Sequence, residues 1–126
     1  MEALPPNYVI VEFESDQGAY LAGLVAAAAS REDRIGIISG LADCRDCNRY
    51  IQGFLLGARS LKPEIEVELA YLADEGEEAA FGDPVAARTF AQAFIDVYEP
   101  DVLLPRAGSA SAGIIEAACD ADILAI

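Results

Sequence analysis

Cys44-Arg45-Asp46-Cys47 sets two thiols three positions apart, the spacing at which one cysteine attacks a disulfide and the other resolves the product. The pair follows an apolar run and precedes a helical one, where the positive end of a helix would stabilise a thiolate, as enzymes of the thioredoxin type require. The aromatic and proline residues that usually flank such a motif are missing, and pairs at this spacing also occur without redox function. A third cysteine, Cys119, makes the count odd in a chain with no histidine. That argues against a full disulfide framework and leaves a zinc site one ligand short. Cys44 and Cys47 are candidate redox residues, and no metal is expected.

Two further features point to ligand binding. Ala107 to Gly113 is a run of small residues after the apolar Val102 to Leu104, and its backbone amides would face a polar small molecule at a helix N-terminus, with Gly108 and Ser109 as candidates. The plainer reading is a tight strand-to-helix turn that needs glycine for geometry alone. The run lacks the Gly-Lys-Ser/Thr ending of a phosphate loop. Phe81 stands between an acidic stretch and Gly82-Asp83, a poor place for an aromatic ring unless it packs on something. That something is either a ligand base or a neighbouring hydrophobic groove. Without histidine no Ser-His-Asp or Cys-His arrangement can be built, and nothing selects an acid–base pair from the acidic residues. No catalytic residue and no cofactor is expected.

The elements that must hold these residues alternate along the chain. Tyr8 to Phe13 is apolar and β-branched, which predicts a strand. Gly18 to Ser30 predicts a largely buried helix with Tyr20, Leu21, Leu24, Val25 and Ala28 on its apolar face. Arg34 to Ile38 reads as a central parallel strand, Asn48 to Ser60 as a helix stopped by Lys62-Pro63, and Ile65 to Tyr71 as a strand with one more exposed face. Asp74 to Glu78, with Glu75, Glu77 and Glu78, is expected to be a solvated acidic loop. Asp83-Pro84 opens a helix to about Tyr98, because an N-cap acid is followed by proline in the first turn. Asp101 to Leu104, Ile114 to Cys119 and Ile123 to Ile126 complete the pattern as strand, short helix and strand. Such alternation requires right-handed crossovers and predicts one α/β domain over residues 1–126: a three-layer open parallel sheet of Rossmann-like or flavodoxin-like kind. Ligands then belong at the carboxyl ends of the strands, at Ser39 to Cys47, Tyr71 to Asp83 and Pro105 to Gly113.

Composition excludes some partners. Twenty-two acidic residues against eight basic ones give a net charge of −14, which repels phosphate backbones and anionic lipid surfaces alike. The longest apolar stretch, Leu21 to Ala29, is too short to span a bilayer. Met1 to Pro6 lacks the basic start and apolar segment of a signal peptide, so the chain as given is expected to stay in the cytoplasm.

Phe13-Glu-Ser-Asp-Gln-Gly-Ala-Tyr-Leu-Ala-Gly23, Arg34-Ile-Gly-Ile-Ile-Ser-Gly40, Gly53-Phe54 with Gly57-Ala58, and Ala107-Gly108 with Gly113 together resemble the basic membrane protein family, over nearly the whole chain. The resemblance implies the second lobe of an exported, membrane-anchored solute receptor of periplasmic-binding-protein type I, which captures purine nucleosides between two lobes for an ABC permease. Phe81, Asp83, Gly108 and Ser109 are the candidate ligand-binding residues: the resemblance implies that Phe81, just before the Asp83-Pro84 helix start, stacks on the base, and that Gly108 contacts the ligand. It assigns no role to Cys44 or Cys47. An excised lobe should bind weakly, for want of its first lobe and of the ribose-holding Gly-Val-Asp that follows the last strand in that family. It should also tend to self-associate, as a homodimer for example, through the surfaces left uncovered.

Overall fold

Ile35, Ile37 and Ile38 expose no more than 1% of their surface, and the strand that carries them is the centre of the molecule. The computed structural model describes residues 5–74 and 76–126. The central strand β1 (Arg34–Leu41) is flanked in parallel by β2 (Glu66–Ala73) on one side and β3 (Val102–Arg106) on the other. A two-residue β4 (Leu124–Ala125) pairs with β3, so the strand order is β2-β1-β3-β4, that of the flavodoxin-like sheet. Helices α1 (Ser15–Ala29) and α2 (Arg45–Leu61) cover one face. On the other face lie α4 (Pro84–Tyr98) and α5 (Ser111–Asp120), with the short α3 (Glu77–Phe81) between β2 and α4. The predicted three-layer open parallel sheet is therefore present.

Alternation along the strands sorts the side chains between two cores. Ile35, Ile37, Val102 and Leu104 pack with Ile51, Phe54 and the alanines of α1. Ile38 and Leu103 pack with Phe94, Ile114 and the alanines of α4 and α5. At the sheet edge, β2 keeps Glu66 and Glu68 exposed and Val67 and Leu69 half-buried, as its alternating sequence predicts.

The α1–α2 layer is closed by backbone contact. A Cβ added at Gly57 would lie 1.9 Å from the Tyr20 carbonyl oxygen, one at Gly53 2.3 Å from that of Asp16, and one at Gly23 2.0 Å from that of Phe54. Only glycine permits this approach, and it decides which face of α1 is buried. Ala19, Gly23, Ala26 and Ala27 face inward, while Leu21 and Val25 are 62% and 58% exposed. The apolar face predicted from Tyr20, Leu21, Leu24, Val25 and Ala28 is thus the wrong one, because bulk does not fit between helices this close.

Three other expectations change. Tyr8 to Phe13 forms no strand; its apolar residues are 55–82% exposed and pair with no strand among the described residues. β-Branched composition makes a strand only where another backbone supplies hydrogen-bond partners. The acidic loop turns helical from Glu77, which brings Phe81 to the end of a helical turn, while Glu75 lies outside the described residues. The helix expected from Ile114 starts earlier, at Ser111, after a 3-10 turn at Gly108–Ala110.

At the amino-terminal edge of the sheet, Asp101 fastens the turn after α1 to the start of β3. Its carboxylate accepts from Ser30 Oγ at 2.7 Å and from the backbone amides of Arg31 and Glu32. Burial pushes its pKa up, but the hydrogen bonds from Glu32, Ser30 and Arg31 outweigh burial and hold it below the ordinary value.

Two predictions follow from these contacts. Gly57→Ala should cost about 1–3 kcal/mol or more in denaturant unfolding, through overpacking, whereas Gly18→Ala, which meets nothing within 4 Å on α1, should stabilise by about 0.5–1 kcal/mol. Because the folded pKa of Asp101 is lowered, its ionised form stabilises the fold fully above the unfolded value of about 3.9, and that contribution is lost as pH falls through the folded value. Asp101→Asn should therefore lower stability by about 1 kcal/mol at neutral pH, a figure discounted for partial exposure, and the difference from the parent chain should vanish in acid.

Candidate ligand-binding site

In a sheet of order β2-β1-β3-β4 the connections from β1 and β3 leave in opposite directions, opening a crevice at the carboxyl ends of these two strands. Ser39 and Gly40 are the last residues of β1 before Leu41 ends it, and Arg106 ends β3 opposite Ser39. The Ser39 hydroxyl, fully buried, donates to the Arg106 carbonyl at 3.3 Å and ties the two strand ends together.

Phe81, Gly108 and Ser109, far apart in sequence, meet at this edge. The Phe81 ring occupies the place a side chain would take at Gly40: a Cβ there would sit 2.1 Å from Cε1 of the ring. Phe81 Cβ and its carbonyl oxygen also lie 3.4 Å from the place where a Gly108 Cβ would stand. Ser109 Oγ donates to the Phe81 carbonyl at 2.7 Å. Gly108 has φ of +53°, a left-handed conformation that suits glycine, and it lets the chain turn from β3 into the helix. The ring therefore docks in a groove of the fold, yet it stays half-exposed.

Asp83 plays a different part. Its Oδ1 accepts from the amides of Val85 and Ala86 at 3.1 and 3.0 Å, so it caps α4, as its place before Pro84 predicts. Ser111 Oγ likewise accepts from the Ala107 amide at 2.9 Å, which fixes the turn behind Gly108.

Cys44 and Cys47 are joined as a disulfide at the start of α2, and Cys119 is a free, exposed thiol. Among the described residues no group of acidic and cysteine side chains is arranged to hold a metal ion.

Sequence reasoning passed over Arg106. Its guanidinium lies 4.9 Å above the Tyr50 ring of α2. Its Nε is buried without a hydrogen-bond partner, one of two such side-chain atoms among the described residues. The signal was present: a basic residue at the end of a strand in a chain with only eight basic residues.

Cavities of about 350 and 340 Å³ lie elsewhere, along α1 and α2 between Asp16, Tyr20 and Leu56 and beside Phe13 and Arg45. Phe81, Gly108 and Ser109 line neither. The strand ends are the better candidate, because ligands of open α/β sheets sit outside the carboxyl ends of the strands, where the connections diverge.

An open parallel sheet of this strand order, covered by helices on both faces, is also the fold of solved solute-binding proteins. Solved structures agree on the fold. The chain superposes on an ABC transporter solute-binding protein from Conexibacter woesei with a TM-score of 0.71 at 19% identity, covering 89% of this chain and 34% of that one. A solute-binding protein from Aeropyrum pernix gives 0.70 at 22% identity, with 87% and 31% covered. The family of ABC transporter substrate-binding proteins described as PnrA-like matches residues 3–124, and the chain belongs to it. The nucleoside-binding protein BmpA of Lactococcus lactis is 31% identical over 112 residues, covering 89% of this chain and 30% of the relative. Basic membrane protein B of Borreliella burgdorferi is 33% identical over 116 residues, covering 91% and 31%. The chain spans about a third of the length of these relatives.

The packing around Phe81 can be tested without a ligand. Gly40→Ala should displace the ring and cost about 1–3 kcal/mol, and Asp83→Ala should cost about 1 kcal/mol through loss of the cap. Both are read from chemical denaturation; a neutral Gly40→Ala would mean that Phe81 does not occupy this groove in solution.

Proposed function

We propose that the chain is one wall of a purine-nucleoside site in a two-lobed, non-catalytic receptor that delivers its ligand to an ABC permease. The observation that carries this reading is the half-exposed Phe81 ring, held at the β1–β3 crevice by Gly40, Gly108 and Ser109. A flat aromatic face at the edge of the sheet suits stacking on a base, and every base has a π-face to offer. The nucleoside-binding relative from Lactococcus lactis supports the choice of ligand. Gly108 and Ser109 supply polar contacts beside the ring. Asp83 contributes by capping the start of α4 two residues beyond Phe81.

In this reading the remaining lobe supplies the opposite wall, and the whole receptor is exported and anchored beside its permease. Among the described residues no helix is long and apolar enough to cross a membrane. A second reading, self-association of the lobe as a homodimer, is favoured by the exposed Tyr8, Val9, Ile10, Val11 and Phe13 and the nearby exposed Leu21 and Val25. A sedimentation coefficient that rises with concentration would support it, and a strict monomer would remove it.

Calorimetric titration with adenosine, guanosine and inosine tests the first reading. Weak saturable binding is expected, reduced about tenfold or more by Phe81→Ala, since stacking on an aromatic ring contributes about 1–3 kcal/mol per base. Heat from none of the three nucleosides, or binding indifferent to Phe81→Ala, would overturn it.

A further inference from the structure

We propose that Cys44 and Cys47 form a reversible thiol–disulfide exchange site that takes thiols and dithiols as co-reactants. The bridge opens α2 at its first turn, beside the end of β1. Its two sulfurs are not equivalent. Cys47 is 4% exposed and packed into the fold, whereas Cys44 is the half-buried N-cap residue, so a co-reactant reaches Cys44 first. The Cys47 amide donates to Cys44 Sγ at 3.3 Å, and the amino-terminal end of a 17-residue helix favours negative charge on that sulfur once it is released.

The bridge does little as a staple. It spans three positions within one helical turn, and the entropy a cross-link removes from the unfolded chain is smallest for short loops. The turn is also held independently of it. Asn48 donates from its backbone to the Cys44 carbonyl at 2.9 Å and from Nδ2 to the Ala42 carbonyl at 2.7 Å, while Cys44 donates from its own amide to the Leu41 carbonyl. Reduction therefore leaves the two thiols close together and ready to re-form the bond.

The exchange balances as follows. The thiolate of a dithiol co-reactant attacks Cys44 Sγ, a mixed disulfide forms, the Cys44–Cys47 bond breaks, and Cys47 leaves as a thiolate that takes up a proton. The second thiol of the co-reactant, as thiolate, attacks the co-reactant sulfur of the mixed disulfide and expels the Cys44 thiolate, which is protonated in turn. The chain gains two electrons and two protons, and the co-reactant becomes a disulfide.

The test uses the full chain carrying Cys119→Ser, so that the exposed third thiol does not interfere. Incubation with dithiothreitol, alkylation and mass spectrometry should show complete reduction while circular dichroism stays native, and oxidised glutathione should restore the bridge. Adding Cys47→Ser should trap glutathione on Cys44, whereas adding Cys44→Ser should leave Cys47 reacting about tenfold or more slowly because it is buried. Reduction that occurs only in denaturant would overturn the proposal, and it needs no second variant to fold. Equal reactivity of the two single thiols would overturn it as well. Neither readout involves a nucleoside, so failure here is distinct from failure of the receptor reading.

Discussion

Ile35 to Gly40 are buried on both faces of one strand, which is possible only if backbones pair on both edges and helices lie above and below. That demand places the rest of the molecule. β2 and β3 satisfy the edges of β1 in parallel, and parallel pairing forces each connection to cross back over a face as a helix. The two cores form on either side of this strand, and the end of the strand becomes the crevice where Phe81, Gly108 and Arg106 assemble.

The same packing fixes Phe81. Its ring fills the space above Gly40, so it supports the fold, and it stays partly exposed. Of the two readings open from sequence, the groove is present, and the proposed stacking on a ligand base does not conflict with it, because a ring docked on one side is rigid on the other. A rigid platform loses little freedom when a ligand stacks on it, which is what a receptor needs from its binding wall.

Close helix contact explains the exposed surface of α1. Three glycines let α1 and α2 touch through their backbones, leaving room only for alanine between them and turning Leu21 and Val25 outward. The apolar residues of Tyr8 to Phe13 are exposed as well. The chain spans about a third of the length of its relatives.

The order of strands and helices was legible in the sequence because hydrophobic period and capping residues act locally: Asp83-Pro84 starts α4 where predicted, and the run from Arg34 forms the central strand. The expectation that a ligand sits at the strand ends follows from alternation alone, for the same reason. Tertiary structure decided what depends on neighbours. Tyr8 to Phe13 has strand composition but no partner among the described residues, the buried face of α1 was set by glycines on both helices of the pair, and Arg106 gained meaning only when Tyr50 came beneath it. Cys44 and Cys47 were visible as a pair from their spacing, but their bond and the burial of one sulfur required the turn to form. Local sequence determines what a segment can become, whereas burial, pairing and stacking are properties of two segments at once.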